Sequence, residues 1–112
     1  MSKLAMDVRE RGGYAVVGVT GDVDYFTCEQ FRRSLDTASD VHPRLVLDLT
    51  EMTFMDSAGL GELVRVWKKV SPAGGRVAVV CTNRIVLRLL GITGVDRVLD
   101  VFDSVEEAIP VS

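Results

Sequence analysis

Histidine occurs once among the 112 residues, cysteine twice, and lysine with arginine 13 times against 16 carboxylates, and each shortage removes a class of chemistry. With His42 the sole imidazole, and Cys28 and Cys81 far apart and in no CxxC spacing, a zinc set of thiolates and imidazoles cannot assemble. The two thiols are expected to be unpaired and largely buried, the usual state in a reducing compartment. A net charge of -3 leaves no clustered cations to neutralise a phosphate backbone, so nucleic acid is not an expected partner. Long apolar runs are also missing: although 47% of the residues are hydrophobic, Val77-Ala78-Val79-Val80-Cys81 falls far below the ~18 residues of a membrane span. Asp7, Arg9 and Glu10 follow so soon after Met1-Ser2-Lys3 that no secretory signal fits, and the cytoplasm is the expected location. Proline is down to three, and Pro43, Pro72 and Pro110 each fall where a periodic segment stops.

What is present reads as one domain over residues 4–110. Leu4 to Glu10, Gly12-Gly13 and Tyr14 to Thr20 read as two strands joined by a glycine turn. After the turn Gly21-Asp22-Val23-Asp24, Thr27 and Gln30 have capping-box spacing, and Phe31, Leu35 and Ala38 recur at helical spacing. Arg44 to Leu49 alternates too little for a one-sided sheet and reads as a buried central strand. Leu60, Leu63, Val64, Trp67 and Val70 mark the apolar stripe of a helix opening at Ser57, with Trp67 in its core. Pro72 to Gly75 ends that helix, Arg76 to Cys81 is a second buried strand, and Asn83 caps a basic helix whose Arg84 and Arg88 form a solvated face. Val98 to Phe102 is a last strand, and Ser104 with Glu107 is a capping box for a terminal helix. A hairpin followed by repeated helix and strand units implies an α/β fold with a mixed, mostly parallel sheet and about four helices, since parallel neighbours require crossover helices.

The chemistry concentrates between Asp48 and Gly61, where a central strand leads through a short loop to a helix start. Ser57 is placed where orphan N–H groups and the positive end of the helix dipole point outward. Ala58 and Gly59 carry almost no side chain, so another protein could approach that hydroxyl closely, and Gly61 adds a gap on the same turn. From the residues alone two readings stay open: an addressable hydroxyl, or an N-cap worth ~1 kcal/mol. Asp48 reads as a strand-end acid bonded to nearby backbone N–H groups.

Phe54-Met55-Asp56-Ser57-Ala58-Gly59-Leu60-Gly61 resembles the signature of bacterial anti-sigma factor antagonists, the single-domain STAS proteins. Gly21-Asp22-Val23-Asp24 is similar to that family's Gly-Glu-x-Asp turn, Leu45 to Leu49 to its central strand, and Gly74-Gly75-Arg76 to its entry to the next strand. Leu90-Gly91-Ile92-Thr93-Gly94-Val95 resembles its late Leu-x-x-Thr-Gly-Leu stretch, so the likeness spans about residues 4 to 109. The resemblance implies that Ser57 is phosphorylated by an anti-sigma factor that is itself an ATP-dependent serine kinase, and that a metal-dependent serine phosphatase reverses this. Only the unphosphorylated form would bind the anti-sigma factor and release sigma. Asp22, Asp24, Asp56, Ser57, Ala58 and Gly59 would form the partner-binding surface, with no cofactor, no catalytic residue and no membrane or nucleic-acid partner. Asp22 stands where Glu is commoner and Ala58 where Ser or Thr is frequent, which changes the contacts available there.

Three other readings compete. A receiver domain needs an acidic pair after its first strand and a lysine after a later one, whereas Asp22 and Asp24 follow the second strand and Lys69 is the last lysine. A hydrolase or nucleotide-binding enzyme lacks support, because Ser57 has no neighbouring His and Gly59-Leu60-Gly61-Glu62 lacks the third glycine of a dinucleotide loop. The alternative within the family is a constitutive STAS scaffold or sensor subunit that phosphorylation does not regulate.

Overall fold

The computed structural model describes residues 3–110. Two strands, β1 (Leu4–Arg11) and β2 (Tyr14–Val23), turn through Gly12 and Gly13, whose φ values of +59° and +82° suit the two-residue turn that matches strand twist. Then follow α1 (Cys28–Val41), β3 (Arg44–Met55), α2 (Ser57–Val70), β4 (Arg76–Val80), α3 (Arg84–Thr93), β5 (Asp100–Phe102) and α4 (Val105–Ala108), with short 3-10 turns after α2 and α3. The sheet order is β1-β2-β3-β4-β5, with β1 antiparallel to β2 and the other pairs parallel. This is the mixed α/β fold with four helices that the sequence pattern implies.

The sheet's two faces are covered unequally. On one face, Val17, Leu45, Leu47 and Val79 pack with Phe31 and Leu35 of α1, Leu63 and Val66 of α2, and Val86 and Leu90 of α3. Trp67 is half-buried against that core. On the other face Tyr14, Val16, Val46, Ala78 and Val80 meet only Val105 and Ala108 of α4 among the helices. The Arg76 guanidinium bridges that side, donating to the Tyr14 hydroxyl at 3.1 Å and to the Ala108 carbonyl at 2.8 Å. Between α1 and α2, Asp36 pairs with Arg65 at 3.0 Å and Lys69 at 3.3 Å. Burial works to raise the Asp36 carboxyl, but the two cations outweigh it and hold it below its ordinary value.

Four local expectations are corrected. Thr27 and Gln30 form no capping box: α1 has no side-chain cap bond, and Gln30 Nε2 instead donates to the Leu4 carbonyl. Asp48 is not at a strand end, because β3 runs on to Met55 through two register shifts against β2. The extra residues space the buried Leu49, Met52 and Met55 three apart, which hides a strand whose signature is a period of two. Gly21 to Val23 belong to β2 rather than to a turn, and the φ of +103° at Gly21 accompanies one of those shifts. The last strand also differs from expectation, beginning at Asp100 rather than Val98. Cys81 is buried, and burial raises its thiol pKa against a weak bond to the Asn83 carbonyl; Cys28 is only half-buried, and both are unpaired.

Candidate functional site

Parallel pairing gathers the segments that leave β2, β3 and β4 at one end of the sheet. Val23 pairs with Met55 at the ends of β2 and β3, so the next residues, Asp24 and Asp56, emerge as neighbours. The Asp56 N–H donates to the Val23 carbonyl at 3.1 Å, closing the junction.

Asp56, not Ser57, caps α2. Its Oδ1 accepts from the Ala58 and Gly59 N–H groups at 2.9 and 3.3 Å, and its Oδ2 accepts from the Tyr25 N–H at 3.1 Å. One carboxylate therefore satisfies the helix start and ties down the loop after β2. Ser57 is left as the first residue of the helix, exposed at the rim. Among the described residues neither its hydroxyl nor its N–H has a hydrogen-bond partner.

Asp24 builds the neighbouring loop. Its Oδ1 accepts from the Phe26 and Thr27 N–H groups at 2.9 and 3.1 Å, the side-chain turn that aspartate makes with its own following backbone. Thr27 is buried beneath it, donating through Oγ1 to the Asp22 carbonyl at 2.8 Å. Asp22 is half-buried, and its Oδ1 accepts from the Thr53 hydroxyl at 2.7 Å. These carboxylates hold the loops in place as well as charging the surface, and the three acids share one end of the sheet.

The glycines divide differently from the sequence reading. Gly59 is buried, and a Cβ there would meet Val23 Cγ1 at 2.5 Å and the Val23 carbonyl oxygen at 3.1 Å, so its missing side chain admits β2 rather than a partner. Gly61 has nothing within 4 Å of that position and is the gap on the outer surface, with Ala58 half-exposed beside it. Gly59→Ala is therefore expected to cost about 1–3 kcal/mol by overpacking, whereas Gly61→Ala, which adds only helix propensity, should be neutral or stabilising by up to about 1 kcal/mol. Urea unfolding of the two variants checks this, and equal midpoints would contradict it.

Sequence reasoning missed Tyr25 and Phe26. These adjacent rings are 76% and 84% exposed and meet edge to face with centroids 5.6 Å apart, on the loop that Asp56 anchors. In a chain only 6% aromatic, two neighbouring rings outside any apolar periodicity were the available signal. Phe54, 45% exposed on the last turn of β3, and Ile85, exposed at the start of α3, add apolar surface at this end. Among the described residues no set of His, Cys, Asp and Glu converges as a metal site, and no helix is long and apolar enough to cross a membrane.

A family model described as the STAS domain matches residues 5–108. An anti-sigma F factor antagonist of Paenibacillus polymyxa is 30% identical over 103 residues, covering 90% of this chain and 88% of that protein. An anti-sigma-B factor antagonist of Bacillus subtilis is 27% identical over 98 residues, 88% of this chain and 90% of its own. In three dimensions the chain is similar to the crystal structure of an anti-sigma factor antagonist from Mycobacterium paratuberculosis, with a TM-score of 0.88, 26% identity and coverage of 96% and 92%. The Bacillus cell fate determinant SpoIIAA in its phosphorylated form shares the fold at a TM-score of 0.72 and 20% identity, covering 94% of this chain and 96% of that one.

Proposed function

The chain belongs to the STAS domain family, and from that premise we propose that it is an anti-sigma factor antagonist switched by phosphorylation of Ser57. Unphosphorylated, it binds an anti-sigma factor that is also a serine kinase and so frees the sigma factor; phosphorylated, it does not bind, until a metal-dependent serine phosphatase restores it. The observation that carries this reading is the division of labour between Asp56 and Ser57. Asp56 does the capping, so the Ser57 hydroxyl has no structural duty and stands exposed at the amino end of a 14-residue helix. That hydroxyl can lose its proton to a base in the kinase, form an O–P bond with the γ-phosphorus of ATP and expel ADP, without giving up any hydrogen bond among the described residues.

The same placement explains both halves of a switch. A phosphate adds about -1.5 to -2 charge beside Asp56, in surface that a bound partner would desolvate, and an unpaired charge in that position opposes binding. The fold is expected to tolerate the modification, because the helix dipole favours an anion at its amino end. Incubation with the cognate anti-sigma kinase and ATP should add one phosphate to the wild type and none to Ser57→Ala, read by intact mass. Full labelling of Ser57→Ala would overturn the assignment.

The contact surface on this reading is narrower than the family pattern implied: Asp24, Ser57 and Ala58, with Tyr25 and Phe26 beside them, whereas Asp22, Asp56 and Gly59 serve the fold. Asp24→Asn keeps an oxygen acceptor for the loop N–H groups but loses the charge, so it should weaken partner binding most at low salt. Phe26→Ala removes apolar contact area instead, and its loss should be nearly independent of salt. Titrations of both variants at two ionic strengths check the contrast, and parallel salt dependences would refute it.

A further inference from the structure

We propose that β1 is the docking surface for a second copy of this chain, the two β1 strands pairing antiparallel about Val8 to join the sheets. This rests on the sheet's edge and not on the function proposed above.

β1 is one of the sheet's two edge strands and pairs on one side only, with β2. The two-residue turn closes on the pair Arg11 and Tyr14, so Arg11, Arg9 and Asp7 direct their backbone groups at β2. The alternate residues Glu10, Val8 and Met6 direct theirs outward. A two-fold axis at Val8 would join two such Val8 residues by a reciprocal pair of backbone hydrogen bonds, the closely spaced arrangement of an antiparallel ladder.

The side chains agree with that register on both faces. With Val8 opposite Val8, Asp7 of each copy stands opposite Arg9 of the other, giving two opposite-charge cross-strand pairs. Re-centring by one residue sets Asp7 against Asp7 or Arg9 against Arg9; the Arg9 centre also brings Asp7 opposite Arg11, but of the three only the Val8 centre places no like charges directly opposite, so charge favours that register. On the helix face Val8 is 51% exposed and Val41, on the last turn of α1, is 73% exposed. With Ala15 and Ala38 they line a mostly apolar cleft of about 200 Å³. A second Val8 arriving by this symmetry lies at that cleft's mouth. Glu10, whose place opposite is Met6, already has its carboxylate 3.2 Å from His42 of its own chain. The interface is isologous, so it closes on a dimer, whose joined sheet ends in β5 on both sides.

Sedimentation of the full chain over rising concentration should show conversion from 12.2 kDa to twice that mass. Asp7→Arg and Arg9→Asp, each placing like charges opposite each other, should each weaken self-association by about tenfold or more. An equimolar mixture of the two variants should dimerise again, because every contact between them pairs opposite charges. Val8→Lys should lower association without touching those charges and gives the readout if either reversal fails to fold. A chain that stays at 12.2 kDa up to high concentration overturns the proposal. So does a dimer indifferent to Val8→Lys, or a mixture of folded reversal variants that remains monomeric.

Discussion

Ser57→Glu is expected to bind the anti-sigma factor at least about tenfold more weakly than the wild type, each tenfold corresponding to about 1.4 kcal/mol. The carboxylate introduces charge beside Asp56, on a rim that includes the exposed rings of Tyr25 and Phe26 and that a bound partner would dehydrate. Phosphoserine carries up to twice that charge, so the phosphorylated protein should fall by about a hundredfold or more. Ser57→Ala should stay within about threefold of wild type, because it adds no charge and Ala suits the first turn of a helix. It should also melt close to wild type, since the cap belongs to Asp56. Calorimetric titration decides the point: affinities for Ser57→Glu and the phosphorylated protein equal to wild type would remove charge as the basis of the switch.

Asp56→Ala is expected to destabilise the fold by about 2 kcal/mol, from the lost cap and the lost tie to Tyr25. For a chain of this size that is ~10 °C in thermal midpoint, a large share of the marginal stability of a small domain. Three N–H groups lose their acceptor together, those of Ala58, Gly59 and Tyr25. Asp56→Asn keeps one oxygen for the helix N–H groups and should lose about half as much or less. Because the same carboxylate fixes the loop that carries Tyr25 and Phe26, Asp56→Ala should also raise amide exchange in residues 24–27 well before global unfolding. An Asp56→Ala chain as stable as wild type, with those amides still protected, would show that the loop is held by Asp24 alone.

The two variants separate roles that the dipeptide Asp56-Ser57 runs together. Both residues are good N-caps by type, and only the run of β3 decides which one occupies the capping position. Two register shifts carry β3 as far as Met55, which places Asp56 at the junction and pushes Ser57 one residue into the helix. A serine read as a possible cap becomes a serine with nothing to hold.

The alternation of elements and the family likeness are legible in the chain alone. Apolar residues at helical spacing in α1 and α2, the Gly12-Gly13 turn, the Asn83 and Ser104 caps, and the Asp-Ser pair between strand and helix are all local patterns. Each depends on residues within a few positions of one another, so composition and spacing suffice to reveal it. The remainder depends on contacts between distant parts of the chain. The length of β3, the inward use of Gly59 against Val23, and the tie from Asp56 to Tyr25 join residues 31 to 36 positions apart in the chain. Gln30 shows the same limit from the other side, because its local capping-box pattern gives way to a bond with the Leu4 carbonyl 26 residues away. Short-range rules assign each side chain its nearest partner, but in the packed chain the partner is whichever polar group the parallel sheet brings alongside, and a buried donor or acceptor left unmatched costs more than a cap contributes.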